Sequence, residues 1–285
     1  MNHFHHNASL PVILTVAGFD PSGGAGVAAD LKTFASHNCY GVAAITALTT
    51  QNTQGVSAVE PIKSTMLKIC LETLLADGQI KAVKVGMLAT RANAEVVREF
   101  LESNAALPGV LDPVLRSSSG MELLDATGFE FLRDHLLPHA LVVTPNAEEA
   151  AALTGLKVEN VEGMKAAAYK LVEMGARAVV VTGGHLEKPV DVYFDGTELE
   201  AFAADRVKSD NFHGTGCAFS SAIAANLALG RQLRDSVMLA KAYVTEAIRK
   251  AYPVGPGRLP LNHLFRMQQG PRLADPSPAV AESVH

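Results

Sequence analysis

Short runs rich in Val, Ile, Leu and Ala alternate along this chain with longer amphipathic stretches, and that alternation constrains the fold more than any other feature. A run that is apolar at every position must be buried on both faces, which a parallel sheet covered by helices on either side provides. The candidate strands are Val12–Ala17, Val42–Leu48, Ala82–Val85, Val110–Asp112, Leu141–Thr144 and Ala178–Thr182. Helical composition and spacing fall between them, over Ala25–His37, Lys63–Leu75, Arg91–Ser103, Glu130–Leu137, Ala147–Leu153 and Gly163–Met174. Val190–Phe194 and Leu199–Ala203 read as a hairpin, because the Asp195-Gly196 pair between them suits a tight turn with positive φ. Two helices follow, at about Gly216–Ala228 and Leu233–Lys250. The expected class is therefore α/β with a mostly parallel central sheet.

Nothing between residues 12 and 250 resembles a linker or an internal repeat, so residues 11–266 are expected to form a single domain. Residues 1–10 and 267–285 are expected to be flexible termini, and six of the 14 prolines fall in 253–285. His3, His5 and His6 are read as an incidental cluster rather than a metal site. The net charge of -5, from 24 Lys and Arg against 29 Asp and Glu, leaves no broad basic surface for nucleic acid or anionic lipid and favours a small-molecule partner. Cys39, Cys70 and Cys217 lie far apart without metal-ligand spacing, and pairing two would leave one over. A cytoplasmic location is expected on that basis, together with an N-terminus that lacks a basic export signal and a chain without a membrane span.

In open parallel sheets ligands gather beyond the carboxyl ends of the strands, so the residues just after each strand bear most on function. Ala17-Gly18-Phe19-Asp20-Pro21-Ser22-Gly23-Gly24-Ala25-Gly26 is a glycine-rich turn from a strand into a helix, where backbone can pass close to a ligand. It is neither a Walker loop nor a dinucleotide fingerprint, and a merely flexible turn explains its spacing equally well. His213-Gly214-Thr215-Gly216-Cys217 precedes a small, apolar helix whose first N–H groups and dipole would suit a phosphoryl group. Cys217 falls in the first turn, a position that lowers a thiol pKa and would fit it as general base toward an alcohol or as a nucleophile; a small buried cysteine in a core helix is the competing reading. Asn146 and Glu149, three apart after a strand, offer oxygens suited to Mg²⁺ and also fit a capping box, and the two roles can coexist. Asp112 ends another strand as a second carboxylate, before a loop whose Arg116 and serines could meet phosphate oxygens; taken singly, these residues also fit ordinary turn chemistry.

Taken together, these segments resemble the hydroxymethylpyrimidine/phosphomethylpyrimidine kinase family of thiamine biosynthesis, within the ribokinase-like superfamily. The resemblance is carried by the glycine-rich run, by Ala29-Asp30-Leu31-Lys32-Thr33-Phe34 and Ile45-Thr46-Ala47-Leu48-Thr49-x-Gln51-Asn52-Thr53, and by Lys84-Val85-Gly86-Met87-Leu88. Asp112-Pro113-Val114, Thr144-Pro145-Asn146 with Glu149-Ala150, Gly183-Gly184-His185 and His213–Cys217 complete it, in order from about Leu14 to Phe265. It implies a three-layer α/β/α ribokinase-like fold, transfer of the ATP γ-phosphate to a hydroxymethyl oxygen and then to the monophosphate, use of Mg²⁺, and a homodimer. It further implies that Asp30 and Gln51 bind the aminopyrimidine with Gly18, Met87 and Val114 near the ring. Gly214, Thr215 and Gly216 would form the anion hole, with Cys217 where most ribokinase-like enzymes carry an aspartate base. Asn146, Thr182, Gly184 and Arg116 would meet the nucleotide, and Asp112 and Glu149 the metal. Thr182 and Ser118 stand where the family often has lysine, and Phe212 replaces a commoner threonine. The alternatives are a pyridoxal or pyridoxine kinase, whose chemistry is identical, and a catalytically weak pyrimidine-sensing paralogue.

Overall fold

The computed structural model describes residues 9–184, 189–203 and 212–267. The expectations for the termini, and for His3, His5 and His6, fall almost wholly outside those residues. The elements run β1 (Val12–Phe19), α1 (Gly26–Ser36), β2 (Tyr40–Asn52), β3 (Gly55–Pro61), α2 (Ser64–Ala76), β4 (Ile80–Val85), α3 (Arg91–Ser103), β5 (Gly109–Leu111), α4 (Ala126–Phe131), β6 (Val142–Val143), α5 (Ala147–Thr154) and α6 (Val161–Glu173). They continue as β7 (Val179–Gly183), β8 (Val190–Phe194), β9 (Leu199–Ala203), β10 (Phe212–His213), α7 (Thr215–Ala228), α8 (Leu233–Arg249) and β11 (Leu259–Pro260).

One nine-stranded sheet has the order β3-β2-β1-β4-β5-β6-β7-β8-β9. Its six central strands are parallel, while β3, β8 and β9 add antiparallel edges. Because side chains alternate across a strand, neighbours in the apolar runs enter different cores. Leu14, Val83, Leu111, Val143 and Val181 pack with α2, α3, α5 and α6 on one face. Ile13, Ala82, Val110, Val142 and Val180 pack with α1, α7 and α8 on the other. The result is the expected three-layer α/β/α arrangement.

The sequence expectations needed correction at three places. The helix expected over Glu130–Leu137 begins earlier, at Ala126, where the Asp125 side chain accepts from the Gly128 N–H. It then widens into a π turn over Leu132–Leu136 and a 3₁₀ turn over Leu137–His139, since Pro138 cannot continue an α-helix. β2 runs on past Leu48 to Asn52 and pairs with β3, for which no strand was expected. The turn between them is built by Asn52, whose Oδ1 accepts from the N–H groups of Gln54 and Gly55. A short parallel pair, β10 with β11, ties the entry of α7 to the chain after α8.

Candidate functional site

The carboxyl ends of β1, β4, β5, β6 and β7 open into a cleft of about 1000 Å³ that faces the N-terminus of α7. Every candidate site residue except Asp30 lines it: Gly18, Gln51, Met87, Asp112, Val114, Arg116, Asn146, Glu149, Thr182, Gly184 and Gly214–Cys217. His185, part of the same glycine motif as Gly184, lies outside the described residues.

Asp30 sits beneath this cleft. It is fully buried on α1, where its carboxylate accepts from Thr15 Oγ1 at 2.6 Å, Ser221 Oγ at 2.7 Å and Lys84 Nζ at 3.0 Å. Because this carboxylate is buried away from the cleft and held by three protein donors, the expectation of direct substrate contact is corrected to a supporting role. Lys84 is the residue that sequence reasoning missed, although a lysine inside the apolar strand Ile80–Val85 was the available signal. Its ammonium is fully buried and reaches the cleft floor. The attraction of the Asp30 and Asp112 carboxylates overcomes the penalty of burial and raises its pKa, so it remains a cation.

Two glycine turns meet at the head of α7. Gly214 caps the helix with φ +81, and a Cβ there would fall on the Gly24 carbonyl. Neither turn could approach the other with larger residues. The first-turn N–H groups of α7 therefore face the cleft beside Asp112, which accepts from Ser220 Oγ at 3.2 Å. Cys217 departs from expectation. It is partly exposed to the cleft, yet loss of solvent and the nearby Asp112 and Asp30 carboxylates push its thiol up to about 12, with Lys84 pulling the other way. The helix terminus does not outweigh that enclosure, and the group is a thiol near neutral pH.

Asn146 and Glu149 form a full capping box on α5: Asn146 Oδ1 accepts from the Glu149 N–H and Glu149 Oε2 from the Asn146 N–H, each at 2.9 Å. Burial and then the Asp112 carboxylate lift Glu149 to about 8. Burial also raises Asp112, against the pull of Lys84. Two neighbouring buried carboxylates of this kind suit a divalent cation that brings its remaining ligands from phosphate and water. Among the described residues no group of three or more His, Cys, Asp or Glu could hold a metal alone. Arg116 pairs with Glu122 at 3.4 Å on the exposed loop after Val114. That loop leans across the cleft, with Ser119 Oγ accepting from the Val56 N–H and Ser118 meeting His213. At the other end Lys241, which no motif singled out, bonds Asp191 at 2.7 Å, and both line the cleft near Thr182.

The family model for phosphomethylpyrimidine kinase matches residues 20–262, almost the whole of this architecture. The chain belongs to the phosphomethylpyrimidine kinase family. It is a kinase by that membership, and its relatives agree. The hydroxymethylpyrimidine/phosphomethylpyrimidine kinase of Aquifex aeolicus is 43% identical over 248 residues, covering 86% of this chain and 97% of the relative. The thiamine biosynthesis bifunctional protein ThiED of Geobacter sulfurreducens is 41% identical over 92% of this chain, which spans only 54% of that longer protein. The structure also superposes on the pyridoxal kinase from Staphylococcus aureus in complex with AMP-PCP and pyridoxal, with a TM-score of 0.82 and 36% identity over 90% of this chain and 94% of that one. No helix among the described residues is long and apolar enough to cross a membrane.

Proposed function

We propose that this kinase transfers the γ-phosphate of ATP to the hydroxymethyl oxygen of 4-amino-5-hydroxymethyl-2-methylpyrimidine, and then phosphorylates the monophosphate to the diphosphate, as a step in thiamine biosynthesis. The observation that carries this reading is the convergence in one cleft, around the N-terminus of α7, of apolar Met87 and Val114 with polar Gln51 and the paired carboxylates Asp112 and Glu149. Gln51 offers both a donor and an acceptor to an aminopyrimidine edge. Asn146, Thr182, Gly184 and Arg116 meet the nucleotide, and the N–H groups of Gly214–Cys217 receive the transferring phosphoryl oxygens. Asp112 and Glu149 hold Mg²⁺, which supplies charge neutralisation at the phosphates. Cys217, in the first turn of α7, receives the hydrogen bond of the alcohol and orients its oxygen toward the γ-phosphorus, so that no thiolate has to form in advance.

The single domain over residues 11–266, a cytoplasmic place of action and a homodimer belong to the same reading. The cytoplasmic assignment rests on the need for ATP, and the dimer on exposed Leu48 of β2 and Met66 and Ile69 of α2, which leave apolar surface on neighbouring elements. A second reading, phosphorylation of pyridoxal or pyridoxine, is favoured by the superposition on the Staphylococcus aureus enzyme. Mg²⁺-dependent ADP release, with hydroxymethylpyrimidine, its monophosphate, pyridoxal and pyridoxine offered side by side and products identified by mass, separates them. Higher efficiency on the first two compounds is the expected result. Preference for the pyridines would replace it with the second reading, and pyrimidine binding without turnover would indicate a sensor.

A further inference from the structure

His213 touches three separate segments. Its Nε2 lies 3.0 Å from Asp20 Oδ2 and 2.9 Å from Gln51 Nε2, and its Nδ1 lies 3.3 Å from Ser118 Oγ. One ring nitrogen cannot serve both of the first two as they stand, because a carboxylate only accepts and an amide nitrogen only donates. Asp20 is the fixed partner. Its buried carboxylate gathers the glycine-rich turn, accepting from Ser22 N–H and Oγ at one oxygen and from the N–H groups of Gly24 and Ala25 at the other. Burial works against its charge, but the bonds from His213 and Ser22 hold it below the ordinary carboxylate range. His213 Nε2 must therefore carry hydrogen, and Gln51 must present oxygen to it.

Turning the Gln51 carboxamide by half a turn does this and leaves nothing unmatched. Its nitrogen then takes the place 3.3 Å from Thr49 Oγ1, whose hydrogen goes to the Phe19 carbonyl at 3.0 Å and whose lone pair is free to accept. Ser118 suits Nδ1 of His213 in either form, since a hydroxyl can donate or accept. The opposite arrangement would aim two lone pairs at each other across the Asp20–His213 contact.

We propose that the Asp20–His213 pair, with Thr49 as the second stop, fixes the orientation of the Gln51 carboxamide, making Asp20, His213 and Thr49 positioning residues for ring selection. So held, Gln51 offers the cleft an acceptor on the His213 side and a donor on the Thr49 side. A heteroaromatic ring with an exocyclic amine beside a ring nitrogen needs that order, since its amine only donates and its nitrogen only accepts. A ring that presents a hydroxyl, as pyridoxal does, is indifferent to the order because a hydroxyl does either. The inference rests on the proposed assignment of Gln51 to the substrate ring.

Nitrogen-15 NMR of the ligand-free full chain labelled at histidine tests the network independently of any activity, with the His213 signals assigned by their loss in His213→Asn. A hydrogen on Nε2 is expected, and a bare Nε2 overturns the proposal. The second test is the ratio of kcat/KM for hydroxymethylpyrimidine to that for pyridoxal in Thr49→Val and His213→Asn, with thermal melting confirming the fold. The ratio is expected to fall about tenfold as the carboxamide loses its stops. Equal losses on both rings would show that His213 serves only the anion hole and would overturn ring selection. If the wild-type protein turned over neither ring, the functional reading would fail while the NMR result still decided the network.

Discussion

At the residue scale the decisive side chain is Cys217, because its position and its chemistry pull apart. It sits in the first turn of α7, where a thiolate would be favoured, yet enclosure beside Asp112 and Asp30 keeps it a thiol. An orienting role reconciles the two, since a thiol can hold the attacking hydroxyl in line without a low pKa. Cys217→Ala is therefore expected to lower kcat by about two to four powers of ten with little change in ATP affinity. Cys217→Ser, which preserves an atom that both accepts and donates, should recover a substantial part of that loss. Near-normal turnover by the alanine variant, measured as ADP release under saturating ATP, would show that Cys217 does not orient the alcohol. Lys84 and Asp30 sit one layer below, and removing either would strand a buried charge.

At the scale of elements, the contact between the two glycine turns is what places the α7 terminus over the cleft. Gly214→Ala would force a left-handed conformation on a residue with a side chain and drive its Cβ into the Gly24 carbonyl. Gly230 provides the control, since it has the same φ of +81 and open space around it. Gly230→Ala should cost about 1 kcal/mol in urea unfolding and spare kcat. Gly214→Ala should cost more and lower kcat by about a hundredfold or more, as the anion-hole donors shift; equal behaviour of the two variants would mean that the contact is structurally idle. The same turns show what the sequence discloses and what it withholds. The parallel strands, their helices and the strand-end and glycine-turn residues of the cleft were legible, because apolar runs, glycine turns and strand-end polar residues are local signals. β3 was not, since Gly55–Pro61 is a largely exposed edge with no core face to impose a pattern. The burial of Asp30 escaped for a different reason: its partners Thr15, Lys84 and Ser221 come from three distant elements, and only the closed fold brings them together.

For the molecule as a whole, the joint between α1, α8 and the chain after it carries the acid limit of stability. His37 at the end of α1 bonds the Thr33 carbonyl through Nδ1 at 2.8 Å, stacks edge-on to Tyr243 of α8, and leaves Nε2 buried without a partner. His263 meets Thr33 Oγ1 at 3.3 Å, its carbonyl accepts from Tyr243 Oη, and its Nε2 is likewise buried and unmatched. Burial, helped by Arg266 and Arg231 around His37 and by Lys32 and His213 around His263, lowers both to about 4 from 6.5. A depressed histidine pKa means that the unfolded chain binds more protons than the folded one between those two values. Stability from this pair is thus fully present above about pH 6.5 and is lost on acidification toward pH 4, at about 1.4 kcal/mol per pH unit for each histidine. Glu149, lifted to about 8, acts in the opposite sense over much of that range. Comparing the wild type with a His37→Gln/His263→Gln variant cancels it, because both proteins keep Glu149. Urea unfolding between pH 7 and 4.5 should show the wild type losing about 2 kcal/mol per pH unit relative to the variant, within the window from 6 to 4.5. Parallel pH profiles for the two proteins would show that neither histidine is held neutral in the folded state and that the acid limit lies elsewhere.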